Sequence, residues 1–460
     1  MGHANTQLSA REAALKILGV YRRQKAWSDL AINSVIKRSS LSAVDISLTV
    51  QMVYGVLQNM TLCDFYISHY SSIELKKLEP RVLDILRLSI FQIVFLTKIP
   101  HTAAVNEGVI LAKKFSNQRA AGFVNALLRK ASKAVIDGTL PEITGDNVHR
   151  LSLRFSHPQW LVKQFCEALG EAGTEALLMQ NNNDKVPTTI QVNTILTDTS
   201  ELLSLLKSEG IDAKCHPWLK DCIEVVGAGN ITRLESYLKG YFYIQDAAAR
   251  LSVVAAGPRK GDFVLDGCAA PGGKSFASAI MMENSGHILA CDVHAAKLRH
   301  IESGSTRMGI GIIDTMEMDA SKKIMASKGS AKDSEKETMA DIVLADVPCS
   351  GFGIIRKKPE IRFKTKQDIA GLPQLQLNIL STLSSYVKPD GVLLYSTCTL
   401  LRCENEDVIG SFLNQNKNFI IEGFSLPGVG EIKEGMTTLW PHLNGTDGFF
   451  ICKMRKIGDN

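Results

Sequence analysis

The sequence predicts a multidomain chain. An all-α N-terminal domain and a small α+β domain precede an α/β domain built on a parallel, doubly wound sheet. Three observations carry this prediction. The 460 residues exceed one ordinary core, since domains run to about 100–200 residues. Helical periodicity fills the first stretch without competing strand alternation. From about residue 258 onward, short apolar runs, most of them closed by an acid, alternate with helical stretches.

The elements follow in order. Ala14, Ile17, Leu18 and Tyr21 recur at three- and four-residue spacing, as do Leu83, Leu86, Ile90 and Ile93. Asp137–Gly138, Pro141 and Thr144–Gly145–Asp146–Asn147 break the pattern, which predicts a helical domain over 1–140. Over 141–255 the reading is a linker and an α+β domain. Its helices are Trp160–Met179 and Glu201–Ser208, and its strands are Thr188–Val192, Ile223–Val226 and Tyr241–Ile244. No residue of that region asks for a chemical role. The third domain spans 256–460. Its strand runs are Phe263–Asp266, His287–Cys291 ending at Asp292, Ile312–Met318 ending at Asp319, Asp341–Ala345 ending at Asp346, and Val392–Tyr395 ending at Ser396. The Lys/Ser/Glu-rich stretch Ala320–Ala340 reads as a solvated loop.

Composition narrows the function classes. An apolar share of 45% with 22% charged residues is that of a folded soluble protein. No apolar run approaches the roughly 18–20 residues that span a bilayer, and no signal-peptide apolar region is evident, so no membrane role is expected. The ten Cys show neither CxxC pairing nor His clustering. Neither a metal site nor a disulfide framework is expected, and the predicted setting is the reducing cytoplasm. Net charge is +5, unevenly spread: residues 1–150 carry 19 Lys+Arg against 11 Asp+Glu, and the remainder 33 against 36. A basic front on a near-neutral body predicts a polyanion partner for the N-terminal part. Met1–Gly2–His3–Ala4–Asn5–Thr6 matches the loose myristoylation pattern, which arises easily by chance. Trp27, Trp160, Trp218 and Trp440 read as packing residues and His101 as a cap or core residue.

Four segments carry chemistry. Asp266–Gly267–Cys268–Ala269–Ala270–Pro271–Gly272–Gly273–Lys274 puts glycines after a strand, where backbone amides face a ligand at a helix start. It is neither the dinucleotide GxGxxG fingerprint nor a phosphate-binding loop, because Cys268 stands where the latter has its first Gly. The strand-end acids Asp292, Asp319 and Asp346 form a ladder; each could equally cap the helix that follows. An acid after the second strand suits a ribose diol, and one after the third suits an adenine amino group. Asp346–Val347–Pro348–Cys349–Ser350–Gly351 and Tyr395–Ser396–Thr397–Cys398–Thr399 each put a Cys beyond a parallel strand, with Glu404–Asn405–Glu406 starting the next helix. A lone Cys is usually a small inert hydrophobe; two on one rim point to nucleophilic work.

These segments, with DVPCSGFGIIRKKPEIR (346–362), YSTCTLLRCENE (395–406) and TDGFFICKM (446–454), resemble the Nop/Sun family of RNA cytosine-C5 methyltransferases. At the front, HTAAVNEGVILAKKF (101–115) and AGFVNALLRKA (121–131) resemble a NusB-type RNA-binding helical domain. RFSHPQWLVKQF (154–165) and YIQDAAARL (243–251) resemble the piece that joins the two in the family's bacterial 16S ribosomal RNA members. The resemblance covers nearly the whole chain and implies a NusB-like domain ahead of a Rossmann-like methyltransferase domain. Two departures are visible. Gly267 replaces a usual apolar residue and is expected to loosen the end of the first strand. Arg402–Cys403 adds a third nearby thiol.

The resemblance implies S-adenosylmethionine as methyl donor, held by Cys268, Ala269, Ala270, Pro271, Gly272, Gly273, Lys274, Asp292, Asp319 and Asp346. It implies 16S ribosomal RNA as partner, with an unpaired or flipped cytosine as target, and the chain is expected to be a monomer. Cytosine C5 is a poor nucleophile until a thiolate adds at C6. The resemblance gives that role to Cys398, the release of product to Cys349, and a hydrogen bond or proton at N3 to Asp346. An exchange of the two thiols stays open, because DNA cytosine methyltransferases use the Pro-Cys thiol. Arg356, Lys357 and Lys358 are placed to meet RNA phosphates or to form a solvated loop. Two other readings stay open: the same chemistry on transfer RNA, and a NusB-like assembly factor with an idle methyltransferase fold.

Overall fold

The computed structural model describes residues 8–24, 27–183, 186–227, 229, 231–322 and 339–458. The Met1–Thr6 pattern and most of the Ala320–Ala340 stretch lie outside the described residues. The chain forms two compact units. One runs up to Asn182 and takes in Ile355–Phe363; the other holds Asn183–Ile354 and Lys364 onward.

The first unit is helical: α1 (Ala10–Gln24), α2 (Ser28–Ile36), α3 (Ala43–Gln58), α4 (Met60–Tyr70), α5 (Pro80–Phe95), α6 (His101–Phe115), α7 (Gln118–Ile136), α8 (Asn147–Arg154) and α9 (Gln159–Asn181). Local chemistry sets the starts. Ser42, Asn117 and Asp146 accept the backbone N–H three residues on, capping α3, α7 and α8, and Pro80 opens α5. Ile85, Leu86, Leu88 and Ile90 of α5 are fully buried, so that helix is apolar nearly all round and forms the centre of the core. Gly55 lets α3 come close: a Cβ there would lie 1.9 Å from the Phe91 ring. The expected helix after Trp160 is present but broken at Gly170, whose φ is 69°.

The segment Ile355–Phe363 completes this unit. The Ser28 N–H and hydroxyl donate to Glu360 at 2.8 and 2.9 Å. Arg362 is fully buried. Its Nη1 donates to the carbonyls of Gln58 and Phe155 at 2.7 and 3.1 Å and to Asn182 Oδ1 at 2.9 Å. The basic stretch expected to meet phosphates or to form a solvated loop is divided by this packing. Arg356 is 7% exposed, and Lys358 lies 4.7 Å over the ring of Trp27, leaving Lys357 as the exposed member. Trp27 itself is 40% exposed rather than packed in the core.

The second unit begins with β1 (Thr188–Val192), α10 (Thr199–Ser208), β2 (Asp212–Cys215), β3 (Cys222–Val226), α11 (Glu235–Leu238) and β4 (Phe242–Ile244). Their antiparallel sheet has the order β2-β3-β1-β4. After α12 (Ala247–Ala256) come β5 (Phe263–Asp266), α13 (Gly273–Met281), β6 (His287–Asp292), α14 (Ala295–Arg307), β7 (Ile313–Glu317) and β8 (Ala340–Asp346). Next are α15 (Lys366–Ile369), α16 (Leu372–Ser384), β9 (Val387–Thr397), α17 (Glu406–Gln415) and β10 (Phe419–Ile421). A hairpin of β11 (Phe424–Leu426) and β12 (Gly430–Ile432) precedes β13 (Met436–Leu439), α18 (Pro441–Asn444) and β14 (Phe449–Lys456). The main sheet reads β10-β14-β9-β8-β5-β6-β7, with β13 also on β14.

β5 to β9 are parallel, as the doubly wound pattern predicts. β14 runs antiparallel to β9 and adds a mixed edge. From β5 the chain steps out through β6 and β7, then returns to β8 on the other side. That reversal opens a crevice at the carboxyl ends of β5 and β8. Among the described residues, no helix is long and apolar enough to cross a membrane.

Candidate active site

The crevice gathers most of the chemistry-bearing residues singled out in the sequence. Pairing sets Asp266 opposite Ala290 on β6 and Leu344 on β8, and Asp346 opposite Ser396 on β9. Asp266, Asp292, Asp346 and Thr397 therefore end four adjacent strands. Asp319 lies two residues past the end of β7.

The Gly-rich loop leaves β5 with its backbone tied down. Gly267 N–H donates to Leu344 O at 3.0 Å and Ala269 N–H to Cys291 O at 2.7 Å. The Gly267 substitution does not loosen the strand end as expected; a Cβ there would sit 2.5 Å from Leu383 Cδ1, so the glycine makes room for α16. The Ala270–Pro271 bond is cis. Gly272 takes a φ of 105° at the start of α13, where a Cβ would meet the Phe276 ring at 2.8 Å. Only glycine serves that turn.

Asp266 is fully buried. Ser275 Oγ donates to its Oδ2 at 2.7 Å, while Oδ1 lacks a well-formed hydrogen bond. Burial raises its pKa to about 6, against the pull of Ser275 and the Lys274 charge. Asp292 is nearly buried and accepts the His294 N–H at 2.9 Å. Asp319 is committed to a local turn: it accepts from Ser321 N–H and Oγ and pairs with Lys322 at 2.8 Å. These bonds, Lys322 first, hold its carboxyl down to about 2.

The thiols converge. Cys349 Sγ and Cys398 Sγ are 3.3 Å apart. The hydrogen bond to Cys398 and then burial push the Cys349 thiol well above its usual range, with the Glu404 and Asp346 charges adding to the effect. Asp346 accepts Lys274 Nζ at 2.6 Å on one oxygen and Ser396 Oγ at 2.8 Å on the other. Lys274, 8% exposed, also lies 5.1 Å over the Phe449 ring. The two loops are welded through Gly353, whose N–H donates to Cys398 O and whose carbonyl accepts from Gly448 N–H, both at 2.8 Å. Burial pushes the Cys268 thiol up, and Cys403 is exposed on its turn.

Four features escaped sequence reasoning: the Lys274–Asp346 pair, the Gly353–Gly448 approach, Gln376, and the side chains of Glu404 and Asn405. Gln376, Glu404 and Asn405 are buried and bonded around the cysteine loops. Tyr395 Oη adds a bond to Glu404 O at 2.6 Å. Spacing carried no signal for Gln376; the ENE run was visible but read only as a helix start.

Residues 253–455 match the model of the 16S rRNA methyltransferase RsmB/F family, residues 8–133 that of the NusB family, and residues 157–232 the RsmF/B-like ferredoxin-like domain. The probable ribosomal RNA small subunit methyltransferase B of Bacillus subtilis (strain 168) is 35% identical over 458 residues, covering 98% of this chain and 99% of that protein. The chain belongs to the 16S rRNA methyltransferase RsmB/F family. The Synechocystis protein of the same description is 31% identical and covers 98% of this chain and 100% of its own length. Among solved structures, PH0851 superposes with a TM-score of 0.79 at 24% identity, over 98% of this chain and 100% of that one. At that identity it speaks for the fold. A methyltransferase homologue from Pyrococcus horikoshii gives 0.56 at 29% identity, over 68% of this chain and 100% of its own.

As a family member the chain is an S-adenosylmethionine-dependent methyltransferase with a NusB-type helical domain, a small ferredoxin-like domain and a catalytic domain. The residues present fit that cofactor. The crevice lies at the topological switch point, the glycine-opened start of α13 faces it with backbone amides, and buried Asp266 and Asp292 supply acceptors at its floor.

Proposed function

We propose that this chain transfers a methyl group to C5 of a cytosine in 16S ribosomal RNA, through a covalent adduct between Cys398 and C6 of the base. The observation that carries the reading is the 3.3 Å approach of the two sulfurs beside Asp346. Cys349, its thiol pushed up by its neighbour and by burial, retains a proton. Its sulfur lies within hydrogen-bonding distance of Cys398, to which the family resemblance gives the role of nucleophile.

S-adenosylmethionine, when bound, supplies an electrophilic methyl group. Its holders in this reading are Cys268, Ala269, Ala270, Pro271, Gly272, Gly273 and Lys274, with Asp292 at the ribose, Asp319 at the adenine and Asp346 near the methionine end. The Cys398 sulfur bonds to C6 and the displaced electron pair moves toward N3, where Asp346 hydrogen-bonds or protonates the base. Proton placement of this kind typically contributes about 10²–10⁴-fold. The displaced pair returns from N3 as C5 bonds the methyl group, and any proton N3 took from Asp346 goes back to it. With the Cys398 sulfur bonded to carbon, its repulsion of a Cys349 thiolate is gone, and the Cys349 proton passes to solvent at this partly exposed side chain. Cys349 then accepts the C5 proton; the C–H pair forms the C5–C6 double bond, and the Cys398 sulfur leaves with the C6–S pair.

The domains proposed for this work are 1–140 for RNA binding, 141–255 as joining domain and 256–460 for catalysis. The basic balance of residues 1–150 supports a phosphate-backbone partner for the first of these. The test uses tritiated S-adenosylmethionine and small-subunit RNA. Cys398→Ala is expected to abolish transfer, and Cys349→Ala to trap a covalent RNA–protein adduct on a denaturing gel. An adduct seen only with Cys398→Ala reverses the two thiols. Cofactor binding without transfer to small-subunit RNA favours the assembly-factor reading, and bisulfite mapping of a strain lacking the protein separates ribosomal from transfer RNA.

A further inference from the structure

We infer that Gln376, through Glu404, is a positioning residue that fixes the main chain of Cys349 against Cys398; this rests on the two-thiol reading above. The residues on either side of Cys349 are held from one buried cluster. Gln376 Nε2 donates to Pro348 O at 3.0 Å and to Glu404 Oε2 at 2.9 Å, and the same carboxyl oxygen accepts Ser350 N–H at 2.8 Å. The residues flanking Cys398 are held by the next position along. Thr397 Oγ1 donates to Asn405 Oδ1 at 2.6 Å, and Asn405 Nδ2 donates to Thr399 O at 3.1 Å. The two sets meet where Thr399 Oγ1 reaches Glu404 Oε1 at 3.3 Å and Ser350 Oγ at 2.7 Å. Gln376, Glu404, Ser350, Thr397 and Thr399 are fully buried and Asn405 is 1% exposed.

Within that cluster Gln376 has a distinct task. Pro348 O and Glu404 Oε2 are both acceptors in a volume closed to water, and they repel unless a donor stands between them. The Gln376 amide brings its two hydrogens to those two acceptors. Its Oε1 has no hydrogen-bond partner, so the flipped amide would set a third acceptor against the first two. Gln376 sits on α16 and bonds Pro348 directly but reaches the Cys398 flanks only through the Glu404 carboxylate. Its loss is therefore expected to displace chiefly the Cys349 sulfur while Asn405 keeps Thr397 and Thr399 in place.

The experiment compares Gln376→Met, similar in length but without donors, with wild type and Cys349→Ala. Misplacement of a reacting group by about 1 Å costs about 10²-fold, so kcat is expected to fall by that order with KM for RNA and cofactor unchanged. The covalent RNA adduct is expected to accumulate as it does for Cys349→Ala. The double variant Gln376→Met/Cys349→Ala is expected to be no slower than Cys349→Ala alone. Wild-type turnover of Gln376→Met, or a loss that multiplies with that of Cys349→Ala, overturns the proposal. So does a loss without adduct when Cys349→Ala does trap one. If Cys349→Ala traps no adduct, the thiol assignment fails separately, and the turnover comparison still decides whether Gln376 acts through Cys349. Should Gln376→Met not fold, Gln376→Glu replaces it. Protonation of the new carboxyl restores one donor, so its turnover relative to wild type must rise as pH falls; a flat ratio sinks the proposal.

Discussion

Asp266 and Asp346 end neighbouring strands yet keep different company. Asp346 is paired with Lys274, whereas Asp266 is sealed beneath the Gly-rich loop with one oxygen poorly bonded. Its folded pKa of about 6 lies above the ordinary 3.8. The folded state therefore binds more protons than the unfolded chain between those values, and the group's contribution to stability is present below about pH 4 and lost as pH rises through 6. Asp266→Asn keeps the shape and removes the titration. It is expected to raise stability relative to wild type by about 1–3 kcal/mol at pH 7.5 and by little at pH 4, measured as urea midpoints across that range. An equal effect at both pH values would show that ionisation is not the cause. At this scale the motifs made Cys349, Cys398 and Asp346 legible, because each stands at or just past a strand end, and Lys274 because it closes the Gly-rich loop at the start of α13. Convergence of the two cysteines was expected from the shared rim and from the family resemblance, and the sulfurs do meet at 3.3 Å. The buried polar bonds that set the approach of cysteines 49 residues apart left no signal. Gln376 sits in the run LPQLQLN, where nothing separates it from any other polar helix residue.

The cysteine loops hold together because glycine lets two backbones touch. A Cβ on Gly353 would lie 1.9 Å from Gly448 O and 2.8 Å from Cys398 O, and backbone of this kind cannot step aside as a side chain can. Gly353→Ala is expected to cost about 1–3 kcal/mol through overpacking and to reduce methyl transfer far more than it lowers the melting temperature, assayed side by side. Gly267→Ala meets only the flexible tip of Leu383 and is expected to keep most of the activity. The strands β5, β6, β8 and β9 were legible because each is a buried apolar run closed by a polar residue, the pattern of a parallel sheet covered on both faces. β2 was missed for the converse reason: Asp212–Cys215 is an exposed edge strand without an apolar face. The antiparallel β14 edge follows from pairing with β9 over Phe450 to Arg455, and distant register of that kind leaves no local trace.

For the whole chain, the order of helical, mixed and parallel-sheet regions was readable from periodicity alone. The route of the chain through its two units was not. The sequence reads Ile355–Phe363 as part of a catalytic loop, yet that stretch belongs to the helical unit, where Arg362 satisfies carbonyls that would otherwise be buried and bare. Arg362→Met removes these donors and is expected to destabilise the helical unit by about 2–4 kcal/mol, seen as an earlier transition in urea followed by the fluorescence of Trp27. Unchanged unfolding of that unit would show the bonds to be dispensable. The consequence reaches into heredity. A module bounded by one junction can be exchanged between genes in a single recombination, but this one is completed by nine residues encoded far downstream. Any transplant of the helical unit from a relative must therefore bring that distant insert with it.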